Sequence, residues 1–395
     1  MNLLDSIKHH AAQYYDEIVD MRRYLHANPE LAMNEKETAR FIKSKLKEYN
    51  ISYTTYSGHY GIVADIKGKN HGTNVVALRA DMDALPINEL NDVLYKSKNE
   101  GVMHACGHDV HIASLLGTAK ILNAIKDYFE GTVRLIFQPS EEMYPGGASM
   151  LIADGVLQNP DVHVIFGQHV MPTIDAGKVG VKSGKAMAST DEIFITVKGK
   201  GGHAATPELI IDPVVVASNI IVALQQIVSR KASPEIPTVL SFGRFIADGK
   251  TNIIPDEVNI EGTLRTFNED WRSKAHELVK QICTSTAEAM GAEAIIKIVR
   301  GYPFLVNDNK LTQRFKDYAS QYLGKENVLD IDLRMTAEDF AFYSQKVPAC
   351  FYRLGIRNIE KGINSNIHTA TFDVDECILE MATGLMCWLA IKELG

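Results

Sequence analysis

The chain has 395 residues, of which 46% are hydrophobic and 23% charged, values typical of a folded globular protein with two domains. Its net charge of −8, with lysines and arginines scattered, provides no positive field for nucleic acid or anionic lipid. No apolar run approaches the roughly 20 residues that cross a bilayer, and we recognise neither a secretory signal nor a disulfide framework. We therefore expect a cytoplasmic protein that binds neither nucleic acid nor membranes.

The first half of the chain alternates helical and strand patterns. Apolar residues at helical spacing predict one helix over residues 3–28, ending before Pro29, and a second over 35–49. A further helix is predicted over 110–125. Short β-rich runs predict strands at 62–66, 74–78, 132–137 and 162–168. This alternation predicts an α/β fold with a mainly parallel sheet and helices on both faces.

The middle of the chain has a different pattern. Its elements follow the order strand, helix, strand, strand, helix, strand, which is that of a small split-βαβ, ferredoxin-like domain. They are predicted at 193–198, 213–230, 238–245, 259–266, 270–290 and 294–299, and later α/β elements at 310–322, 350–354 and 374–393. We therefore expect an α/β domain of residues 1–183 and 302–395 that is interrupted by an inserted domain of residues 184–301.

The segment 103–109 (MHACGHD) contains closely spaced metal-binding residue types. Cys106 and His108 are separated only by Gly107, and glycine permits a tight turn that brings a thiolate and an imidazole to one point. This donor pair suits zinc or a related transition metal. The alternative pair, His104 and His108, has the spacing of a helical zinc motif, but Gly107 disfavours a helix there and no glutamate follows His104.

Three further segments place glutamate or histidine where predicted strands or connections end. Glu141 and Glu142 follow the third predicted strand. His169 ends the fourth, and His368 precedes the last helix. Adjacent carboxylates are usually solvated and a single histidine usually belongs to the core, so each feature alone carries little information. At the carboxyl ends of strands in an open α/β sheet, however, such residues converge on binding sites.

Taken together, these residues exceed the needs of one metal ion. The candidate ligands number one more than a tetrahedral zinc requires: Cys106, His108, Glu142, His169 and His368. Two cations about 3.5–4 Å apart that share a bridging thiolate and a bridging water would use all of them. The neighbouring carboxylate of Glu141 would then face that water as a base.

On these residues, the chain resembles the metallopeptidase and amidohydrolase family that includes carboxypeptidase G, aminoacylase and hippurate hydrolase. It is most similar to the branch of hippurate hydrolases, auxin–amino acid conjugate hydrolases and N-acetyldiaminopimelate deacetylase. The matching segments keep their order and span nearly the whole chain: RRYLHANPE, ALRADMDALPI, MHACGHDVH, FQPSEE, GGASMLIADG, KGKGGHAATP, TNIIPDEV, EGTLRTF, TAEDFAFY and IHTATFDVDE. The resemblance implies a metal-dependent hydrolase that cleaves the amide bond of an N-acyl amino acid or short peptide.

The resemblance also implies roles for individual residues. The five candidate ligands would hold two divalent ions, zinc or alternatively manganese, cobalt or nickel, and Glu141 would be the general base. Asp81 would orient the metal site, although many wider relatives differ at the position two residues before it. His203, Asn252 and Arg265 would hold the substrate carboxylate or the oxyanion. His203 would reach in from the partner subunit of a homodimer formed through the inserted domain, which would also act as a lid.

One departure from the branch and two alternative functions stand beside this interpretation. Relatives often carry a second histidine between His203 and Asp212, whereas this chain has residues 208–211 (ELII), which favour a hydrophobic acyl group or side chain. A dipeptidase or aminopeptidase is the first alternative, but we assign no extra acidic pair to a free amino terminus. A non-catalytic binding protein on the same fold is the second, but such a protein would be expected to have lost ligands or base.

Overall fold

The computed structural model describes residues 2–69 and 72–395. The chain divides into two compact units. Unit 1 comprises the chain up to Ala186 together with Val306–Asp332 and Asp339–Gly395, and unit 2 comprises Met187–Leu305 and Leu333–Glu338. The short segment 333–338, which is predicted to belong to the α/β domain of residues 1–183 and 302–395, belongs instead to unit 2.

Helices occur in both units. In chain order they are α1 Leu3–Gln13, α2 Tyr15–Ala27, α3 Lys36–Glu48, α4 His108–Ala124, α5 Gly147–Ala153, α6 Pro213–Gln226, α7 Glu269–Ala289, α8 Asn309–Leu323, α9 Ala341–Ser344 and α10 Ile378–Leu394. The prediction of one helix over 3–28 is wrong, because the chain bends at Tyr14, where φ is −96° and ψ is 4°. The bend lets α1 pack against α10 while α2 packs against α4.

Strands also occur in both units. In chain order they are β1 Tyr53–Thr55, β2 Ile62–Lys67, β3 Val75–Asp81, β4 Thr132–Gln138, β5 Val164–Asp175, β6 Val179–Val181, β7 Gly184–Met187, β8 Asp191–Lys198, β9 Gly202–His203, β10 Thr238–Ile246, β11 Ile253–Ile254, β12 Glu257–Thr266, β13 Glu293–Arg300, β14 Leu305–Asn307, β15 Val328–Asp330 and β16 Ala349–Arg357. The predicted strand over 162–168 is longer than expected, since β5 runs on through a predominantly buried stretch to Asp175.

The large sheet of unit 1 has the order β1-β2-β4-β3-β5-β16-β6-β15. Its central strands β4, β3, β5 and β16 are parallel to one another. Every residue of β3 and β4 is buried, as expected for strands covered on both faces. Helices α4 and α10 pack against each other and on β3, whereas α5 contacts β4 and α9. The predicted α/β class with a mainly parallel sheet is confirmed.

The carboxyl ends of these parallel strands carry the polar residues of the unit. Asp81, the last residue of β3, is level with Gln138, the last residue of β4. On the other side of β3, Arg79 pairs with Gly167 of β5, which places His169 two residues further along. The sheet therefore presents aspartate, glutamine and histidine toward the carboxyl ends of its parallel strands, where ligands bind in open α/β sheets.

Unit 2 is built on an antiparallel sheet of order β10-β12-β8-β13. Its elements follow the order β8, α6, β10, β12, α7, β13 that the sequence predicts, with the small ladder of β9 and β11 between them. Both helices begin at side-chain caps: Asp212 accepts the Val214 amide at 2.8 Å and Asn268 accepts the Trp271 amide at 2.8 Å. Buried apolar residues of α6 and α7 pack on the sheet.

One helical stretch of unit 2 is long and apolar. Pro213–Lys231, which is α6 with its helical continuation, has the length and composition of a membrane span, and 33% of its apolar 18-residue stretch is buried. Its sequence is interrupted by polar residues such as Ser218 and Asn219. Val216, Ile220 and Leu224 are buried in the core of unit 2, which accounts for the apolar composition of one side of the helix.

Candidate metal centre

A glycine turn brings two of the predicted ligands together. Gly107 has a φ of +79°, and α4 begins at the next residue, His108. A Cβ atom at Gly107 would lie 2.5 Å from Cγ2 of Val170, so only glycine fits between the turn and β5. Cys106 and His108 are both buried on either side of this glycine. The predicted tight turn is therefore present.

His169 on β5 faces the same turn. Its Nε2 lies 3.4 Å from Sγ of Cys106. Its Nδ1 lies 2.8 Å from the carbonyl oxygen of Val170, to which it donates its proton. The hydrogen bond leaves the Nε2 lone pair directed toward the thiol, which is the orientation of a metal-ligating imidazole.

The two glutamates are held by Asp83, which lies outside the predicted site. The carboxylate of Asp83 accepts the backbone amide of Glu141 at 3.0 Å and that of Glu142 at 2.8 Å. The preceding residue, Ser140, has a φ of +54°, which turns the chain sharply after β4. Asp83 thus fixes the positions from which both glutamate side chains diverge.

His368 reaches the same place from an irregular segment before α10. Its backbone amide donates to the carbonyl of Ala105 at 2.8 Å, beside the glycine turn. Its Nε2 lies 3.3 Å from Oε1 of Glu142. Unlike the other two proposed histidine ligands, His108 and His169, it is exposed, with 49% of its side chain accessible.

The candidate ligands converge in overlapping groups. Three groups contain the predicted ligands, each with its ligand atoms within 4.8 Å of one another: Cys106 with His108 and His169, Cys106 with Glu142 and His368, and His108 with Glu141 and Glu142. Cys106 belongs to two of these groups. A thiolate placed in this way can serve two cations.

The charges at the centre favour cations. Burial, followed by the carboxylates of Glu142 and Glu141, raises the pKa of the Cys106 thiol well above its usual range. Although burial lowers the pKa of His108, Asp81, Asp83 and Glu142 outweigh it and raise that pKa to about 10. Oδ1 of Asp83 lies 3.4 Å from Nδ1 of the His108 ring, and Oδ2 of Asp81 lies 3.7 Å from its Nε2. Buried imidazole and thiol groups surrounded by carboxylates in this way fit divalent metal ions.

Asp81 is buried beside His108, and these two residues form with His111 a further group of atoms that could hold a metal ion. Its Oδ1 accepts the Nδ1 proton of His111 at 2.5 Å, and its Oδ2 accepts from Arg79 at 2.5 Å. Burial raises the pKa of Asp81, but Arg79, His108 and His111 hold it well below its usual range. Nε2 of His108 is 3.7 Å from Asp81. The geometry thus places Asp81 in hydrogen-bond contact with His111 and Arg79 and close to His108.

The comparisons with known proteins identify the family of the chain. Residues 77–390 match Peptidase family M20/M25/M40. The chain is 38% identical to thermostable carboxypeptidase 2 of Saccharolobus solfataricus, with 99% of each chain covered. It is 39% identical to N-acetylcysteine deacetylase of Bacillus subtilis, with 96% of this chain and 97% of that one covered.

A solved structure shows the same likeness. The crystal structure of a dinuclear metal-binding peptidase of the M20 family from Bacillus subtilis matches with a TM-score of 0.83 and 35% identity, over 97% of this chain and 99% of that one. The chain belongs to the M20 family. It is therefore a hydrolytic enzyme that acts on amides, and the resemblance found in the sequence is confirmed. The dinuclear neighbour and the ligand groups together support two divalent metal ions in this M20 enzyme.

The predicted substrate-binding residues of the M20 chain all lie in unit 2. The ladder of β9 and β11 pairs His203 with Ile253, and the carbonyl of Asn252 accepts the amide of Ala204 at 3.1 Å. His203 and Asn252 are thus neighbours, and both are exposed. Arg265 lies on β12, where its Nε donates to Thr263 at 3.2 Å. No hydrogen bond between described residues joins Arg265 to the other two.

Sequence reasoning missed several residues that shape the M20 site. Asp83 stands two residues after Asp81 in the segment RADMDAL, a repeat of aspartate at strand spacing that could have indicated it. His111 stands three residues after His108, which places both imidazoles on one face of α4. Oδ1 of Asp339 accepts a hydrogen bond from Nη2 of Arg79 at 2.8 Å. The two residues are 260 positions apart in the chain, so no local sequence pattern predicts this contact.

Proposed function

We propose that this enzyme hydrolyses the amide bond of N-acyl amino acids, as aminoacylases, hippurate hydrolases and related carboxypeptidases do. The observation that carries the proposal is the sharing of Cys106 between two ligand groups, with Glu141 in a third group beside His108 and Glu142. This arrangement provides positions for two cations and, next to them, a carboxylate for proton transfer.

The proposed ligands are Cys106, His108, Glu142, His169 and His368. Two divalent cations held by these residues would lower the pKa of a water molecule and polarise the amide carbonyl. A thiolate combined with imidazoles suits zinc, and manganese, cobalt or nickel are the alternatives. The orientation of His169 by the Val170 carbonyl supports its assignment, since ligating histidines usually donate their other ring proton in this way.

Glu141 is the proposed general base. Its side chain is buried, and its backbone is anchored by Asp83 at 3.0 Å. In this role the carboxylate takes a proton from the attacking water and returns it to the leaving nitrogen of the substrate. The adjacent Glu142 is assigned a different role because its Oε1 faces His368 at 3.3 Å.

Unit 2 would supply the groups that hold the substrate. Nδ1 of His203 accepts the amide of Ala205 at 3.1 Å, so the proton resides on Nε2, where it can be donated to an oxyanion. Burial lowers the pKa of Arg265, although the nearby carboxylates of Asp191 and Glu192 act in the opposite direction. Its remaining N–H groups suit a substrate carboxylate, and Asn252 is the proposed second donor.

A hydrophobic acyl group or side chain is the proposed specificity. Leu209, in the segment where relatives often carry histidine, is 61% exposed in unit 2, and Ile210 beside it is partly exposed. The test is a hydrolysis panel that includes N-acetyl and N-benzoyl forms of one amino acid and a Gly-X dipeptide, with zinc, manganese, cobalt or nickel added. The proposal expects cleavage of N-acyl amino acids with a preference for the benzoyl form. Cleavage of the dipeptide alone would favour the alternative, a dipeptidase or aminopeptidase.

A homodimer formed through the inserted domain is part of the proposal, with this domain also acting as a lid. The support is an edge strand, β10, that leaves Phe245 and Ile246 exposed, and a helix, α6, that exposes Val215 and Val222. A second copy could cover these apolar residues by an isologous contact. A cytoplasmic location is also proposed, because the cysteines are free and a ligating Cys106 must stay reduced. Cell fractionation tests the location.

Subunit mixing tests whether His203 acts across the dimer. His203→Ala and Glu141→Gln are each expected to be inactive. If His203 serves the partner's site, each mixed dimer formed on co-expression has one intact site, which combines Glu141 of the His203→Ala subunit with His203 of the Glu141→Gln subunit. Its other site lacks both residues. Random pairing should then restore activity in about a quarter of the sites. Absence of restored activity, with mixed dimers shown by mass spectrometry, would contradict action in trans.

A further inference from the structure

A fully buried arginine connects two parts of unit 1 that carry proposed ligands. Arg22 of α2 is 0% exposed. Its Nε donates to Oδ2 of Asp109 at 2.9 Å, its Nη2 to Oδ1 of Asp373 at 2.8 Å and its Nη1 to Oε1 of Glu376 at 3.1 Å. Asp109 directly follows His108 on α4. A guanidinium withdrawn from water is tolerated only when such partners are closely fixed, so this network is geometrically demanding.

Asp373 belongs to the irregular segment that also carries His368. Besides Arg22, it is held by the hydroxyl of Tyr95, which donates to its Oδ2 at 2.7 Å. The ring of Tyr95 lies 4.6 Å from the Arg22 guanidinium. Nδ2 of Asn91 donates to the carbonyl of the preceding residue at 2.8 Å. These contacts fasten the segment to the rest of unit 1 about five residues after the ligand.

His368 depends on such fastening more than the other proposed ligands. His108 begins a buried helix and His169 lies within a central strand, so regular structure fixes both. His368 has a φ of +61°, lies outside helices and strands, and is about half exposed. Its own backbone is anchored locally by the bond to Ala105. Two residues on, the carbonyl of Ala370 accepts the Leu90 amide at 2.8 Å, and the side-chain contacts of Asp373 add to these backbone anchors.

We propose that Arg22 and Asp373 form a positioning pair that holds His368 in its ligating position and thereby sets the affinity for the cation in the Cys106–Glu142–His368 group. The inference rests on the proposed ligand set. The pair touches neither substrate nor cation, and it acts through the His368 segment. The cation in the Cys106–His108–His169 group is affected much less, because its ligands are fixed by α4 and β5.

Asp373→Asn is the variant that tests the pair. It removes one charge-assisted bond from the His368 segment and leaves the bond between Arg22 and Asp109 in place. The matched control is Asp65→Asn, which breaks a similar pair: Asp65 accepts Nε of Arg134 at 2.8 Å and Nη2 at 2.9 Å in the same unit. Tyr95→Phe removes the other bond to Asp373 and provides a milder second variant.

The measurement is a titration of the metal-free protein with Co²⁺, followed by visible absorption and checked by elemental analysis. We expect Asp373→Asn to weaken the second equivalent by about tenfold to a hundredfold while the first changes little, with a smaller shift of the same kind in Tyr95→Phe. Asp65→Asn should leave both equivalents unchanged. Equal weakening of both equivalents by Asp373→Asn, or binding indistinguishable from that of Asp65→Asn, would overturn the inference.

His368→Ala separates this inference from the proposed ligand set. If His368→Ala weakens the second equivalent and Asp373→Asn does not, the ligand set stands and the positioning role is wrong. If His368→Ala binds both equivalents as tightly as the unaltered protein, the ligand assignment itself fails. Urea unfolding of the metal-free variants shows whether a general loss of stability accompanies either change.

Discussion

The carboxylate of Glu35 accepts two hydrogen bonds from Ser140 through a single oxygen, from the backbone amide at 2.7 Å and from the hydroxyl at 2.8 Å. Glu35 is completely buried, and Ser140 has the left-handed φ of +54° that few residues other than glycine adopt. Because Ser140 directly precedes Glu141, this pair stabilises the turn from which the proposed base projects.

Replacing Glu35 with Gln should change how stability depends on pH. Burial, supported by the nearby Asp83, raises the pKa of Glu35 from 4.5 to about 7. The folded state therefore binds the proton more tightly than the unfolded state, and this contribution to stability is present below about pH 4.5 and lost as the pH rises through 7. As the pH rises between these values, the free energy of unfolding of Glu35→Gln should increase by on the order of 3 kcal/mol relative to that of the unaltered protein. Urea unfolding of both metal-free proteins measures these free energies. A difference between the two proteins that stays constant from pH 4.5 to 7 would contradict the prediction.

Gly107→Ala should destabilise the protein and lower its metal content. Alanine would have to adopt a φ of +79° and place its Cβ 2.5 Å from Val170. Gly101→Ala is the matched control, because Gly101 has a φ of +75° with open space around its Cβ position. Backbone strain alone should cost about 1 kcal/mol at Gly101, and the steric clash should add about 1–3 kcal/mol at Gly107. Equal losses in thermal unfolding would show that Val170 does not restrict the turn.

Asp83→Asn should impair turnover more than stability. A carboxylate can accept both the Glu141 and Glu142 amides, whereas an asparagine side chain has one acceptor oxygen and turns an N–H group toward the other amide. We expect the two glutamates to move and kcat to fall by about tenfold or more, since small displacements of catalytic groups are costly. Steady-state kinetics on the best N-acyl amino acid measures the loss. An unchanged kcat would argue against a positioning role for Asp83.

Cys106→Ala should weaken both cations together, because the thiol belongs to two ligand groups. The control is Cys350→Ala, which removes a buried thiol on β16 outside these groups. We expect the affinity of Cys106→Ala for both ions to fall by about a hundredfold or more. Elemental analysis after dialysis should therefore find little metal in Cys106→Ala and two ions per chain in the control. Two tightly bound ions in Cys106→Ala would refute a shared thiolate.

The sequence was informative where local geometry determines the chemistry. Cys106, Gly107 and His108 form a turn within three residues, and the strand and helix periods of both units follow from side-chain burial. Glu142 and His169 could be selected because each stands near the carboxyl end of a predicted strand.

Other features of the site could not be found in this way. The pairing of Arg79 with Asp339 and that of Arg22 with Asp373 join residues hundreds of positions apart, and nothing in either local sequence encodes the partner. The apolar spacing continues through the bend at Tyr14, although α1 packs mainly on α10 and α2 mainly on α4, and this difference is not visible in the sequence.

The central claim is that Glu141 transfers the proton while its neighbour Glu142 holds a cation, and one pair of variants tests it most directly. Metal content and kcat are measured together for Glu141→Gln and Glu142→Gln, whose substitutions are chemically identical and one residue apart. We predict that Glu141→Gln retains two divalent ions per chain while kcat falls by about a hundredfold to ten-thousandfold, and that Glu142→Gln loses metal. A Glu141→Gln enzyme that keeps its ions and turns over within a few-fold of the unaltered rate would contradict the account.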